Sequence, residues 1–256
     1  MRNILAIAQR EVSAYFSSPI AYVVIGLYAL MFGFFFYSLV SFFDRQSMQM
    51  MGMGAGAPPV NINEQLIRPV FLNAMVIFLF VLPMITMRTY SEEKRSGTIE
   101  LLLTSPLTDL EIILGKFIGA MLLYGAMLSV TLIHMAILFI YGEPEWKPIA
   151  TGYLGLLLMG GCFLSLGLFI SSLTKNQIVA AMATFAVFLM LWVINWISQF
   201  VGPTTQAVLA HLSITEHFDD FAKGIIDTKH VIYYLSFMAF GLFLTMKSVD
   251  SERWRG

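Results

Sequence analysis

FIGAMLLYGAMLSVTLIHMAILFIY, Phe117 to Tyr141, contains no aspartate, glutamate, lysine or arginine. A helix of this length crosses the hydrocarbon core of a bilayer, which is about 30 Å thick and takes roughly 17–25 apolar residues. Comparable charge-free runs flank it at approximately Ile20–Phe43, Val70–Met87, Ile149–Ser172, Ile178–Val201 and Val231–Met246. The last is the shortest and draws on residues from its flanks to span. The chain is therefore expected to be an all-α integral membrane protein with six transmembrane helices.

Composition agrees with that reading. Of 256 residues, 58% are hydrophobic and 12% charged, against about 25% charged in soluble domains, so the lipid bilayer is the expected solvent. A net charge of −1 gives no basic field to hold nucleic acid, and that partner class is set aside. Cys162 is the one cysteine; it forms no intrachain disulfide and says nothing about redox compartment. The run Ile20–Phe43 is longer than a signal-peptide core and lacks a small-residue cleavage site after it, so it is expected to stay as an anchor.

Six spans put both termini on one side. Arg2, Arg10, Arg88, Lys94, Arg95, Lys116, Lys175, Lys247, Arg253 and Arg255 fall on that side, ten basic residues against the five of the other, Arg45, Arg68, Lys147, Lys223 and Lys229. By the positive-inside rule the richer side is cytoplasmic. Before the first span, Ile4, Leu5, Ala8, Val12, Tyr15 and Phe16 recur at helical spacing opposite Arg2, Gln9, Arg10 and Ser13. Residues 1–18 thus read as an amphipathic interfacial helix, broken by Ser17, Ser18 and Pro19, with 19–256 as the six-span domain. The first outer loop, MQMMGMGAGAPPV from Met48 to Val60, is of low complexity and is expected to lack regular order.

The cytoplasmic loop 88–116 is more patterned than a connector. Gly97 follows the charged run at 92–95, and Thr98 opens a short stretch with Ile99, Leu102 and Leu103 at helical spacing. Ser105 and Pro106 end it, and Thr108 with Glu111 has the spacing of a capping box that opens the third span. Glu92, Glu93 and Glu100 are left available to a partner. The pattern alone fits two roles equally: a transverse helix that transmits force, or an interfacial helix resting in lipid headgroups.

EEKRSGTIELLLTSPLTDLEIILGKFIGA, Glu92 to Ala120, resembles the signature loop of ABC-2 type permeases: acidic residues, a Gly-Thr-hydrophobic-Glu stretch, a Ser-Pro turn and a Gly-Lys, in that order. SSPIAYVV at Ser17–Val24 and SITEHFDDFAKGIIDTKHVIYYLS at Ser213–Ser236 are similar to the gliding-motility and nitrous-oxide-reductase-maturation branch of that family. The resemblance implies an ABC-2, type V exporter-like permease fold in a bacterial inner membrane, with an elbow helix and a coupling helix that docks on an ABC ATPase subunit. Glu92, Glu93, Gly97, Thr98, Glu100, Ser105 and Pro106 would lie at or near that dock. It further implies a second permease half, identical or related, and for the gliding branch a companion with a large extracytoplasmic domain. ATP and magnesium would sit on the ATPase.

No cofactor, metal or catalytic residue is assigned to the chain itself. Gly115-Lys116 is not a P-loop, because position 110 is leucine and phenylalanine follows the lysine. The spans carry no acidic or basic residue, whereas ion-driven transporters rely on buried ionisable groups, so energy is expected to enter from outside the membrane. His134 reads as a packing histidine. Gly115 with Gly119, and Gly161 with Ser165, have small-xxx-small spacing that serves either packing within the chain or contact with a second subunit. Met48, Met50, Met51 and Met53 read as a flexible loop rather than a copper site. His211, His217 and His230, with Glu216, Asp219 and Asp220, lack tight metal-ligand spacing and read as an external helical cap over 202–230, with a capping box at Ser213 and Glu216 and a stop at Gly224.

Two functional readings follow. In the first the chain is a transporter permease whose mostly apolar path, dotted with Asn73, Asn195, Gln199 and Ser165, suits an amphiphile or lipid-linked cargo. In the second it is an ATPase-driven mechanical or assembly module that acts on an extracytoplasmic partner without moving a solute.

Overall fold

The computed structural model describes residues 2–52, 61–104, 106–198 and 200–253. Their regular structure is all helical. In order these are α1 (Arg2–Ser17), α2 (Pro19–Gly52), a π-helical turn (Asn63–Ile67), α3 (Arg68–Thr86), α4 (Ser91–Ser96), α5 (Thr98–Leu103), α6 (Asp109–Tyr141), α7 (Trp146–Ser172), α8 (Gln177–Ser198), α9 (Pro203–Leu212), α10 (Phe218–Ala222) and α11 (Thr228–Arg253). Six helices, those containing α2, α3, α6, α7, α8 and α11, are long and apolar enough to cross a membrane.

α7 is the axis of the bundle. In its most apolar stretch 78% of residues are buried, against 67% for α3 and 17% for each of α2, α8 and α11, so the last three form the periphery of the bundle. Small residues let neighbours close on α7. A Cβ at Gly160 would overlap the Tyr124 ring of α6, whose hydroxyl donates to the Leu156 carbonyl oxygen at 2.6 Å. Across the bundle Phe78 packs edge-on to Tyr124 and stacks on Tyr28 of α2, at centroid distances of 5.2 and 5.7 Å.

Several boundaries depart from the sequence expectation. α2 continues to Gly52, well past Phe43, because residues 44–51 contain arginine, glutamine and methionine and no helix breaker. Met48, Met50 and Met51 therefore lie on a helix rather than in a loop; Met53 and the rest of the expected loop to Val60 are outside the described residues. α6 begins at Asp109, eight positions before the charge-free run, so Lys116 belongs to a spanning helix. α11 extends the short last span at both ends, as its flanks allowed.

The punctuation residues behave as their chemistry dictates. The Ser17–Pro19 break separates α1 from α2. The Thr108 hydroxyl accepts the Glu111 N–H at 3.3 Å while the Glu111 carboxylate accepts the Thr108 N–H at 3.1 Å, a complete capping box. Gly224, at φ 91°, ends α10: its N–H reaches Phe221 O at 3.2 Å, and Ile225 N–H reaches Asp220 O at 2.9 Å. The Ser213 hydroxyl accepts the Glu216 N–H at 3.3 Å but caps a turn, since α10 starts only at Phe218.

Candidate coupling site

The N-terminal helix lies across the start of α6, and two glycines make the contact close. A Cβ on Gly115 would stand 2.6 Å from the Ile7 side chain, and one on Gly119 2.7 Å from Cβ of Glu11. Gly115 and Gly119 therefore pack helices within this chain. Gly161 and Ser165 do the same on the other side of the bundle, where a Cβ on Gly161 would meet Met238 Sδ, and one on Gly241 the Ser165 hydroxyl, each at 2.5 Å. His134 is likewise a packing residue, its ring edge-on to Phe32 and Phe36 at 5.3 and 5.1 Å.

Between the two glycines on α6 stands Lys116, 1% exposed. Its ammonium donates to Glu11 Oε1 of α1 at 2.9 Å, Glu93 Oε1 of α4 at 2.8 Å and the Thr89 carbonyl oxygen at 2.9 Å. The Tyr90 ring covers it with its centroid at 5.1 Å. Arg10 also donates to Glu93 Oε1, at 3.0 Å. Two carboxylates and two cations thus cancel, and all three ammonium donors are used, which is what makes a buried lysine tolerable. The Glu11 and Glu93 side chains keep 12% and 13% exposure, facing a cavity of about 130 Å³ lined also by Arg88 and Glu92.

α4 is tied to further helices. Ser171 Oγ of α7 accepts the N–H groups of Tyr90 and Ser91, both at 3.2 Å. Lys94 pairs with Glu252 of α11. Arg88 clamps Glu92 with two bonds of 2.6 and 3.0 Å and donates to Ser18 Oγ at 3.3 Å. A displacement of α4 is therefore felt by α1, α6, α7 and α11 together.

Gly97 joins α4 to α5 at φ 75°, a left-handed conformation that favours glycine. α5 anchors itself through Ile99 and Leu102, the latter packed with Ile7 and Ile112. Thr98, Glu100 and Leu101 face outward, as does Pro106 beyond the helix. Of the residues the sequence placed at the dock, Thr98, Glu100 and Pro106 are exposed, Glu92 is clamped by Arg88, and Glu93 is turned into the chain's own interior; Ser105 lies outside the described residues. The sequence reading passed over Lys116, Arg10 and Glu11 as structural partners. Glu11 had a usable signal: it falls three and four positions after Ala8 and Ile7, on the buried face of α1.

The other polar residues singled out in the spans divide between two places. Asn73 and Asn195 line a cavity of about 440 Å³ with Arg68, Trp192, Trp196 and Glu216. Ser165 is buried between α7 and α11, and Gln199 is outside the described residues.

An amphipathic N-terminal helix, a six-helix bundle and a glycine-jointed pair of short helices rooted in it describe a polytopic membrane protein. The sequence matches the ABC-2 family transporter protein family over residues 3–244, and the chain belongs to that family. Members of this family are membrane permease subunits. Among known proteins, the chain is 29% identical over 159 residues to the probable multidrug ABC transporter permease YbhR of Escherichia coli strain K12, and equally to that of Escherichia coli O157:H7. The match takes in 60% of this chain and 42% of either relative.

Proposed function

We propose that this chain is the permease half of an ATP-driven transporter, worked by a separate nucleotide-binding subunit that docks on the outward face of α5 and carries the ATP and magnesium. The observation that carries the reading is Lys116, a buried cation shared by the elbow helix through Glu11 and the loop helix through Glu93. A loop that served only to rest in headgroups would not need such a joint. Thr98, Glu100, Leu101 and Pro106 form the docking face, with Glu92 and Ser105 at its margins, and Gly97 sets the angle between dock and root. In this reading Glu93 transmits force, and the ATPase is held elsewhere.

The basic-residue count favours an orientation with both termini and α4–α5 in the cytoplasm, and the family resemblance favours a bacterial inner membrane. A second permease half, identical or related, completes the path. The cavity lined by Asn73, Asn195 and two tryptophans is amphipathic and suits an amphiphilic or lipid-linked cargo. The likeness of 213–236 to the gliding-motility and nitrous-oxide-reductase-maturation branch supports a second use of the same machinery, mechanical or assembly work on a companion with a large extracytoplasmic domain.

The test is co-purification with the partner ATPase at matched membrane levels. Truncating a charged partner at a desolvated dock costs about 2–5 kcal/mol, so Glu100→Ala together with Leu101→Asp is expected to abolish association while insertion is kept. Full binding and stimulated turnover by that double variant would reject the docking assignment. Stimulation of ATPase turnover by an amphiphile separates transport from mechanical work.

A further inference from the structure

At the end of the bundle away from α4 and α5, the segment between α8 and α11 packs on the start of α7, where the Thr151 hydroxyl donates to Phe221 O at 2.7 Å. Here three side chains form a row. His217 Nε2 lies 3.0 Å from the His211 carbonyl oxygen, His217 Nδ1 2.6 Å from His230 Nδ1, and His230 Nε2 2.8 Å from Asp220 Oδ2. A carbonyl oxygen and an ionised carboxylate only accept, so three contacts in line require three protons. Two neutral imidazoles supply two. With His217 donating to the carbonyl and accepting from His230 Nδ1, the His230 Nε2 lone pair faces a carboxylate, a contact that takes a cation, either a third proton or a metal ion.

Asp227 stands beside that gap. It opens α11 by accepting the Lys229 N–H at 2.9 Å, and one ligand atom from each of Asp220, Asp227 and His230 lies within 4.8 Å of the others. We propose that these three side chains bind a divalent transition-metal ion, with zinc as the reference species. One imidazole nitrogen and two carboxylate oxygens suit zinc, with a fourth position left to water. Ligand bonds of about 2.0–2.2 Å put such atoms at most about 4.4 Å apart, a contraction that side-chain torsions supply.

The metal satisfies the row once His230 Nε2 and Asp220 Oδ2, 2.8 Å apart, open to the roughly 3.3 Å of neighbouring ligands on a tetrahedral ion. His230 becomes a neutral ligand through Nε2 and donates Nδ1–H to His217, the arrangement that fixes tautomer and orientation in metal-bound histidines. His217 is held in turn by the Tyr233 ring, stacked at a centroid distance of 3.8 Å. Lys229, 65% exposed, sits 3.0 Å from Asp227 and opposes the ion until it swings into solvent. Asp219 is occupied by Arg68 and Lys223 and takes no part. The ion would pin α10 to the start of α11.

The experiment uses the full chain in lipid nanodiscs, stripped with chelator and then dialysed to equilibrium against zinc, with bound metal counted by mass spectrometry. One zinc per chain is expected. His230→Gln and Asp227→Asn should each weaken binding at least tenfold, His217→Gln by about 10- to 100-fold, and Lys229→Met should tighten it. Asp227→Asn retains the helix cap, and Asp227 has no part in a row closed by a shared proton, so it isolates the metal from that alternative even where a histidine variant fails to fold. Absence of saturable zinc binding overturns the proposal, as does zinc bound with unchanged affinity by Asp227→Asn. Neither result touches the coupling reading, which is measured at the other end of the bundle.

Discussion

Replacing Lys116 with methionine removes the ammonium and keeps the volume, leaving the Glu11 and Glu93 carboxylates facing one another with Arg10, 3.0 Å from Glu93 and 3.9 Å from Glu11, as the remaining cation beside them. Stranding a buried partner costs about 3–5 kcal/mol. Because both carboxylates retain slight exposure, the lower end applies, about 3 kcal/mol. Against a total stability of about 5–15 kcal/mol the permease stays folded. At about 2–4 °C per kcal/mol for a chain of this size, the apparent unfolding midpoint falls by roughly 6–12 °C. Adding Glu11→Gln and Glu93→Gln to Lys116→Met removes the stranded charge and should recover most of that loss, because a neutral network of like volume costs little. Coupling should not recover with it: ATPase turnover in the assembled complex is expected to stay low in both variants, since the joint between α1, α4 and α6 is gone. The assay is a thermal scan of the purified chain beside turnover of the reconstituted complex. An unfolding midpoint within 1–2 °C of wild type for Lys116→Met, or full turnover in the triple variant, would refute the reasoning.

Gly97→Val meets a left-handed backbone, costs about 1–2 kcal/mol and should lower ATPase-stimulated turnover without loss of membrane insertion; Gly97→Asn, which tolerates that region, should do so less, and equal effects would argue against a conformational cause. Gly115→Leu drives a side chain into Ile7, so the elbow helix should lift and become open to limited proteolysis near Glu11, whereas Gly125→Leu, with open space around it, should leave the cleavage pattern unchanged. Cysteines placed at Gly97 and Gly224 should be labelled by an impermeant thiol reagent from opposite faces of the membrane, Gly224 alone in sealed cells; labelling at Gly97 in those cells would overturn the orientation.

What could be read from the chain, and what could not, divides by sequence distance. The spans, the capping box at Thr108 and Glu111, and the turn at Gly97 rest on neighbours within a few residues, so periodicity and turn chemistry announce them. Lys116 finds Glu11 from 105 positions away and Glu93 from 23. The helical spacing of Glu11 from Ile7 and Ala8 marks it as facing inward, but nothing local to Glu93 distinguishes it from a glutamate that stays in water. Glu93 sits in a charged run and reads as available to a partner; its inward orientation follows from α1 lying over the glycines of α6. The same holds at the other end, where His217, His230 and Asp220 are spaced too irregularly to suggest a row. The extension of α2 was missed for the opposite reason: the apolar signal ended at Phe43 while the helical propensity did not.

α5 holds to the protein by Ile99 and Leu102 on one side and presents Thr98, Glu100 and Leu101 on the other. On the docking proposed above, partner choice and membrane architecture fall to different residues of a single turn and a half of helix. On that proposal a lineage would change the ATPase it answers to by rewriting three outward positions, with the two anchors and every span untouched, and a graft of those positions between duplicated permeases would rewire which motor drives which path.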